Sequence, residues 1–379
     1  MRLFLYGSLR DPALLATVTG RLPPARPAQL AGHVVLTAVN RAGTEAFPMI
    51  LPEHGAVTEG LLVEGLTAAE IDRLRFYEAG FTLDGAPVTL EMPEGPVQAA
   101  LFRPQDPGWI SGGLWDFADW RARWGETSVA AARAFMAEYG LEGGAERAAR
   151  RWTQLLVRGG AEVRARETAP VTLRRAQGAD DIRIGRLSRP YANYFAVEEY
   201  DLSWRRFDGA MSREANRAVF VSGDAVIVLP YDPVRDRVHL IEQFRVGAMA
   251  RGDAEPWLVE TIAGRIDGGE SPEEAARREA AEEAGLTLTR LLRGPSCYAS
   301  PGALSEYLYH YVAVCDLPDA VVGTGGLEAE EEDIRSHVLP FARFMELLDS
   351  GEIDNAPLVI LAMWLDRLRP QLRAEAGLA

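Results

Sequence analysis

Apolar and polar residues alternate with a period near two in the first third of this chain, and the pattern returns after residue 180. "RLFLYGSL", "AGHVVLTAV", "GLLVEGL", "APVTLEM" and "VQAALFRP", all within residues 1–105, read as short strands divided by turns. Among them "TAAEIDRLRFYEAG" places Ile71, Leu74 and Tyr77 on one helical face. Residues 115–158 are rich in alanine and arginine with helical spacing, broken by "GLEGGAE". "RAVFVSGDAVIVLPYDPVRDRVHLIEQFRV" holds two apolar strands around a "DPVRD" turn, a hairpin by pattern and spacing. "PWLVETIAG" predicts one further strand, followed by "YHYVAVCDL", "IRSHVLPF" and helices over Ala342–Ser350 and Ala356–Arg369. This mixture belongs to the α/β (α+β) class. At 379 residues the chain exceeds one ordinary core. We read residues 1–160 as a first domain with closing helices, 161–180 as a linker and 181–379 as a second domain. The middle of Arg158–Asp180 is open to a strand reading.

Between these strands lies the segment that carries chemistry, "GRIDGGESPEEAARREAAEEAGL", Gly264 to Leu286. Ser271, Pro272 and Glu274 supply an N-cap, a proline in the first turn and a capping-box acid, and Gly285 suits the C-terminal cap. Ala276, Ala280 and Ala284 recur every four residues and give a face small enough to lie close on a sheet. Glu279, Glu282 and Glu283 stand at i, i+3 and i+4, a spacing at which like charges repel. A solvated acidic face is one reading. The other is a hard divalent cation, which wants oxygen donors and keeps positions open for water and phosphate. The glycine-rich approach "AGRIDGGE" brings backbone carbonyls to the same patch and favours the second reading.

Composition narrows the chemistry. The formal charge of −15 argues against a general nucleic-acid or membrane-surface partner. All forty basic residues are arginine, so a Schiff-base lysine, a P-loop lysine and a kinase-type lysine are excluded. Cys297 and Cys315 are too few for a disulfide scaffold or a cysteine zinc site, and the five histidines form no HExxH spacing. The opening "MRLFLYGSLRD" lacks the long apolar core of a signal peptide, and no run of eighteen apolar residues follows, so a cytoplasmic location is expected.

Gly264, five residues, Glu270, seven residues and "REAAEEAGL" from Arg278 fill every fixed position of the Nudix box, so this region resembles the Nudix hydrolases. The resemblance implies an α/β/α sandwich over the second domain and cleavage of nucleoside diphosphates linked to another group. It implies Glu279 and Glu283 as main magnesium ligands, with Glu282 and the Ala263 carbonyl contributing and manganese as a substitute ion. Arg278 would orient the helix glutamates through a salt bridge.

The likeness runs over about Asp181–Leu372. Pro301 lies sixteen residues after Gly285 in "SPGALSE", a spacing similar to that of the ADP-ribose pyrophosphatase branch. "LPYDPVRDRVHLIEQFR", "GLEAEEEDIRSHV" and "GEIDNAPLVILAMWL" resemble the same branch. By that resemblance Arg245 contacts the diphosphate or its ribose, and Ser300, Pro301, Gly302 and Glu306 shape the terminal-ribose pocket. Tyr194 and Phe195 sandwich the adenine, and Arg217 reaches in from a neighbouring subunit of a homodimer. Glu330 is implied as catalytic base and Glu332 as a further metal ligand, while Glu331, Glu332 and Glu306 stay open as bases. Ala218 departs from relatives that place an acid after the arginine. The activity implied is hydrolysis of ADP-ribose to AMP and ribose 5-phosphate, with metal ions neutralising the diphosphate and lowering the pKa of an attacking water. Hydrolysis of GDP-mannose or another nucleotide sugar, and non-catalytic sensing of ADP-ribose, are the alternatives.

"LFLYGSLRD" and "IDRLRFYEAGF" resemble the γ-glutamylcyclotransferase-like (AIG2-like) family, a small β-barrel with a "YGSL" loop and a later lone acid. The resemblance implies that Tyr6, Gly7, Ser8 and Leu9 grip a substrate carboxylate and that Glu78 moves a proton. Phe81 stands where relatives often carry tyrosine. A retained scaffold domain is the alternative.

Overall fold

A computed structural model describes residues 1–39, 45–78, 81–83, 87–104, 110–167, 169–319, 323–326 and 332–378, with 45, 46, 81–83, 104 and 324 described by backbone alone. Two units divide the chain, Met1–Pro170 and Val171–Ala379. Among the described residues no helix is long and apolar enough to cross a membrane.

The first unit runs β1 (Leu3–Leu5), a 3-10 turn (Ser8–Arg10), α1 (Pro12–Thr19), β2 (Ala25–Val39), β3 (Glu45–Val63) and α2 (Ala68–Tyr77). It continues with β4 (Phe81–Leu83), β5 (Val88–Leu90), β6 (Val97–Ala99), β7 (Phe102–Pro104), β8 (Ile110–Leu114), α3 (Phe117–Met136), α4 (Gly144–Arg150) and α5 (Trp152–Arg164). The main sheet has the order β1-β3-β2-β8; the bridges Leu3–Ala100 and Gln29–Glu91 tie the ends of the β5-β6 ladder to it, and β4-β7 form a further ladder. The result is a curled half-barrel. Alternation along β1 explains its two faces. Leu3 and Leu5 meet the helices with Leu14, Leu74, Phe135 and Leu155, whereas Phe4 and Tyr6 line the concave side with Leu30, Ile50, Leu62 and Leu101. Asp11 caps α1 by accepting from Ala13 N (2.9 Å) and Leu14 N (3.0 Å), and Thr67 with Glu70 forms a capping box on α2. At Gly159 a side chain would sit 2.6 Å from the Thr127 carbonyl, so glycine lets α5 approach α3 closely.

The second unit comprises β9 (Ile182–Ala192), β10 (Ala196–Trp204), β11 (Ala215–Val221), β12 (Ala225–Asp232), β13 (Arg237–Phe244), α6 (Val246–Arg251), β14 (Trp257–Glu260) and β15 (Ile262–Arg265). Then follow α7 (Pro272–Ala284), β16 (Arg290–Arg293), β17 (Cys297–Tyr298), β18 (Tyr307–Val314), β19 (Thr324–Gly325), β20 (Ile334–Pro340), α8 (Phe341–Ser350) and α9 (Ala356–Glu375). Strands β9–β11 form their own antiparallel sheet, and β16-β18-β12-β13-β20-β19 order the central one, with β12 parallel to β18. Period-two alternation along β12 builds a sandwich. Val226 and Val228 pack with Ala276 and Ala280 of α7, while Ile227, Leu229 and Tyr231 pack with Phe344 of α8 and Leu361 and Leu365 of α9. Each buried valine or leucine contributes about 1.5–3 kcal/mol relative to exposure.

Four expectations change. "PWLVETIAG" is not one strand. β12 and β13 pair only at Tyr231–Val238 and Asp232–Arg237, then splay, and β14 pairs with β13 while β15 pairs with β12. The segment therefore switches partners at Thr261, whose hydroxyl donates to the Val228 carbonyl. Second, α9 continues through Pro370 to Glu375, because Leu372 is buried and Arg373 donates to the Pro233 carbonyl. Third, α5 extends to Arg164, into the expected linker, and the described residues of Ala165–Asp181 hold no strand. Fourth, β2 and β3, 15 and 19 residues long, exceed the short strands expected.

Candidate active sites

Helix α7 forms as its sequence dictates. Ser271 Oγ accepts from Glu274 N (3.2 Å), the Glu274 carboxylate accepts from Ser271 N (2.8 Å), and Gly285 ends the helix at φ 62°. With Ala276 and Ala280 pressed on the sheet, the glutamates turn towards β15 and the preceding loop. Arg278 is the hub. It donates from Nε and Nη2 to Glu270 (2.9 and 3.0 Å), from Nη1 to Glu279 (2.7 Å) and Glu282 (3.0 Å), and from Nη2 to the Arg265 carbonyl (3.0 Å). Burial opposes its charge, but the Glu270 hydrogen bonds and the charges of Glu279 and Glu270 outweigh it and raise its pKa.

The Glu279 carboxylate lies against Gly264, where a Cβ would overlap it. Burial raises its pKa to about 7, with the charges of Glu282 and Glu332 adding to burial and Arg278 opposing. Glu283 is 3% exposed, accepts from Ala263 N (3.3 Å), and is pushed up to about 9 by burial and then by the charge of Glu279. Glu332 raises both. Gly325 brings the segment before Glu332 onto α7, since a Cβ there would strike the Glu283 carbonyl. Among the described residues no three carboxylate, histidine or cysteine side chains converge on one metal point, because Arg278 and Ala263 N hold the glutamates. The donor set still fits a hard cation: these are oxygens only, crowded, desolvated and mutually repelling. Ala263 is recorded through its N–H to Glu283, while its carbonyl was the atom expected to contribute. Glu330 and Glu331 lie outside the described residues.

The substrate-binding candidates gather at one end of β11. Phe220 N donates to the Ala303 carbonyl (2.8 Å), and Ser305 N donates to the Phe220 carbonyl (3.1 Å). This clip fixes the turn of Ser300, Pro301 and Gly302, in which Ala303 N and Leu304 N both donate to the Ser300 carbonyl. Glu306 accepts from Ser222 Oγ (3.3 Å), and burial raises its pKa. Phe195 packs on Phe220 (4.8 Å), whereas Tyr194 meets Phe195 edge to face at 4.8 Å and 82°. Within one chain the two rings are thus not parallel slabs. Arg217 is exposed on β11, its guanidinium over Trp204 at 5.5 Å. Arg245 is committed to buried Glu260, at 2.8 Å from Nε and 2.6 Å from Nη2. Arg265, Ser222 and Gly325 belong to this site without having been expected there. The three glycines of "GTGG" and an arginine inside the box were the available signals.

In the first unit Tyr6 is 6% exposed and donates to the Phe102 carbonyl (2.9 Å). Gly7 leaves β1 at φ −110°, ψ −145°, and a Cβ there would stand 2.6 Å from Pro48. Ser8 opens the 3-10 turn and Leu9 is buried. Glu78 ends α2, its N–H donating to the Leu74 carbonyl (2.9 Å). Burial raises its carboxyl to about 7, and its charge in turn helps burial to raise the Tyr6 and Tyr77 phenols. Tyr6 of the loop and the lone acid therefore share one electrostatic neighbourhood.

These two sites match two family models: NUDIX domain over residues 221–361, and Gamma-glutamyl cyclotransferase, AIG2-like, over residues 3–117. The chain is 41% identical over 209 residues to the ADP-ribose pyrophosphatase of Escherichia coli strain K12, spanning 55% of this chain and 97% of that protein. It is 35% identical over 195 residues to the ADP-ribose pyrophosphatase of Haemophilus influenzae, spanning 51% and 89%. To the GDP-mannose pyrophosphatase of Enterobacter sp. strain 638 it is 32% identical over 173 residues, spanning 46% and 88%. The chain belongs to the Nudix family: it is a Nudix hydrolase carrying an AIG2-like domain. A solved structure titled "Crystal structure of ADP compounds hydrolase" aligns with 26% identity and a TM-score of 0.40, over 52% of this chain and all of that one.

Proposed function

We propose that the protein is a cytoplasmic, magnesium-dependent diphosphatase of ADP-ribose and related ADP-sugars, releasing AMP and ribose 5-phosphate. The observation that carries this reading is the desolvated carboxylate group of Glu279 and Glu283 beside Glu332, braced by Arg278 against Gly264. Two relatives named ADP-ribose pyrophosphatase support the choice of substrate. In this proposal Glu279, Glu282, Glu283 and Glu332, with the Ala263 carbonyl, hold magnesium, for which manganese substitutes. The bound ions would neutralise the diphosphate and acidify a water. Glu330 takes that water's proton. Arg278 keeps the helix carboxylates apart and aimed, and Tyr194, Phe195 and Arg217 receive the base. Ser300, Pro301, Gly302 and Glu306 hold the distal sugar, which orients the diphosphate for in-line attack.

The functional unit in this proposal is a homodimer. Ile182, Ile184 and Leu187 of β9 are all exposed and lie opposite Trp204, Leu202 and Tyr200 on one face of the sheet, an apolar stripe that a second copy would cover. The domain boundaries proposed are 1–160 and 181–379 around a linker. The first domain acts on a γ-glutamyl or related amide, with Glu78 as its acid–base and the Tyr6–Leu9 loop on the carboxylate.

The test is direct. Purified protein with millimolar magnesium is given ADP-ribose and GDP-mannose separately, and products are resolved by ion-exchange chromatography. AMP and ribose 5-phosphate from the first support the proposal. Intact ADP-ribose beside cleaved GDP-mannose refutes the substrate, and two intact substrates refute catalysis.

A further inference from the structure

Arg265 ends β15 opposite Ala225, one residue after the glycine that faces Glu279. Its carbonyl accepts from Arg278, so its backbone is tied to the acidic helix. Its side chain points the other way along the site. The guanidinium carbon lies 3.8 Å from the Tyr194 ring centroid and 5.4 Å from that of Phe195. Nη1 donates to the Ser222 carbonyl (3.2 Å), and Ser222 Oγ in turn donates to Glu306 (3.3 Å). One arginine thus spans the aromatic pair, the acidic helix and the turn that carries Glu306.

Its second nitrogen has an unspent donor. Nη2 is buried and, among the described residues, meets no acceptor. Burying a guanidinium N–H without an acceptor is unfavourable and calls for a reason. Arg245, by contrast, gives Nε and Nη2 to Glu260. A nucleoside diphosphate whose base lies on Tyr194 and whose diphosphate reaches the acidic helix carries its negative charge across the intervening gap, where Arg265 stands. Guanidinium is suited to this position because it stacks flat on a ring while its edge donates to phosphate oxygen.

We propose that Arg265 is a substrate-binding residue that donates from Nη2 to the diphosphate of a nucleoside diphosphate while its plane rests on Tyr194. This rests on the proposed location of the base, and it adds Arg265 to the contact that sequence resemblance implied for Arg245. Stacked in this way, Arg265 also couples base to diphosphate, so that a ligand lacking either half gains less from it.

The experiment compares wild type, Arg265→Met and Arg265→Lys as full chains. ADP binding is measured by calorimetry in EDTA, so that metal ligation does not contribute. Turnover of ADP-ribose is measured with magnesium, and melting temperature is recorded for each protein. Arg265→Met is expected to raise the dissociation constant of ADP by at least about tenfold and KM for ADP-ribose by a similar factor. kcat should stay within about threefold, and the melting temperature should change little, because loss of the Ser222 hydrogen bond and the Tyr194 stacking is offset by removal of an unpaired buried donor and by the apolar methionine. Arg265→Lys, which keeps the charge and loses the plane, should recover part of the affinity. Unchanged ADP affinity and KM in Arg265→Met overturn the inference, as does a lowered melting temperature with kcat falling and KM constant. Failure of wild type to bind ADP also overturns it. The two readings separate cleanly: a wild type that binds ADP through Arg265 yet leaves ADP-ribose intact refutes the proposed reaction alone. Normal kinetics in Arg265→Met beside active wild type refutes only the role of Arg265.

Discussion

Acidification should reveal His239. It lies on β13 opposite Val338, is 0% exposed, and has both ring nitrogens buried without a hydrogen-bond partner among the described residues. Burial, helped by the charge of His337, lowers its pKa from 6.5 to about 4. Between those values the unfolded chain binds a proton that the folded chain refuses. Stability is therefore intact above pH 6.5, declines as the pH falls through the window, and reaches its full loss near pH 4. A shift of about 2.5 pH units at 1.36 kcal/mol per unit corresponds to roughly 3 kcal/mol. Glu279 and Glu283 work in the opposite direction, since their raised pKa values favour the folded state increasingly as the pH falls from about 7 and about 9, respectively, to the ordinary value of 4.5. A bare pH profile would mix these effects, so the measurement is a difference. Urea midpoints are followed from pH 7 to pH 4 for wild type and for His239→Leu, which retains every other titrating group. Wild type should lose about 3 kcal/mol more than the variant, a separation of about 1 M urea. Parallel curves would show that His239 carries its proton in the folded state, or reaches water, and would refute the argument.

Three further outcomes test the sites. Gly264→Ala places a Cβ on the Glu279 carboxylate, which must swing aside; hydrolysis should fall at least about tenfold while the melting temperature changes little, because a side-chain end moves rather than backbone. Equal activity would remove Glu279 from the metal group. Glu283→Gln should weaken the apparent magnesium affinity together with the rate, whereas Glu330→Gln should lower kcat with little change in metal dependence; magnesium titrations of initial rate decide, and a fully active Glu330→Gln would move the base to Glu331, Glu332 or Glu306. Glu78→Gln should abolish release of 5-oxoproline from a γ-glutamyl amine and leave nucleotide hydrolysis untouched; a panel of γ-glutamyl substrates with no wild-type turnover would make the first unit a scaffold.

What the sequence made legible was local. The capping box of Ser271 and Glu274, the terminating Gly285 and the i, i+3, i+4 placement of Glu279, Glu282 and Glu283 all belong to one helix and its caps, where spacing alone determines geometry. The continuous apolar run of β12 likewise declared a strand, and it is buried on both faces. The missed features are long-range. The break at Thr261 exists because β12 and β13 splay and accept two different partners, which the apolar run "PWLVETIAG" does not encode. Continuation of α9 past Pro370 depends on Leu372 and Arg373 finding partners elsewhere in the fold. Gly325 meets the Glu283 carbonyl across 42 positions of sequence, and Arg265 reads as a surface arginine until Tyr194 is seen beside it. Arg245 likewise has a partner that its motif does not encode, Glu260 on a neighbouring strand.

Both units desolvate a carboxylate to a pKa of about 7, yet the surroundings direct the two towards different chemistry. At Glu78 the shift comes from burial, so a single proton relieves it, and a group that gains and loses one proton near neutrality is what general acid–base transfer requires. At α7 burial is compounded by neighbours. Glu283 is raised by Glu279 and Glu332, and Glu279 by Glu282 and Glu332, so each proton added relieves only one member of the group. A divalent cation relieves several at once. Arg278 supplies one positive charge from the Glu270 side, enough to hold Glu279 and Glu282 in place and too little to neutralise the group. Adding a second cationic side chain beside Glu283, with Arg278 kept, would reduce the helix's demand for metal. Arg245 lowers Glu283 from another side, but burial and the charge of Glu279 outweigh it, and the electrostatic deficit that both arginines leave is what the proposed metal would fill.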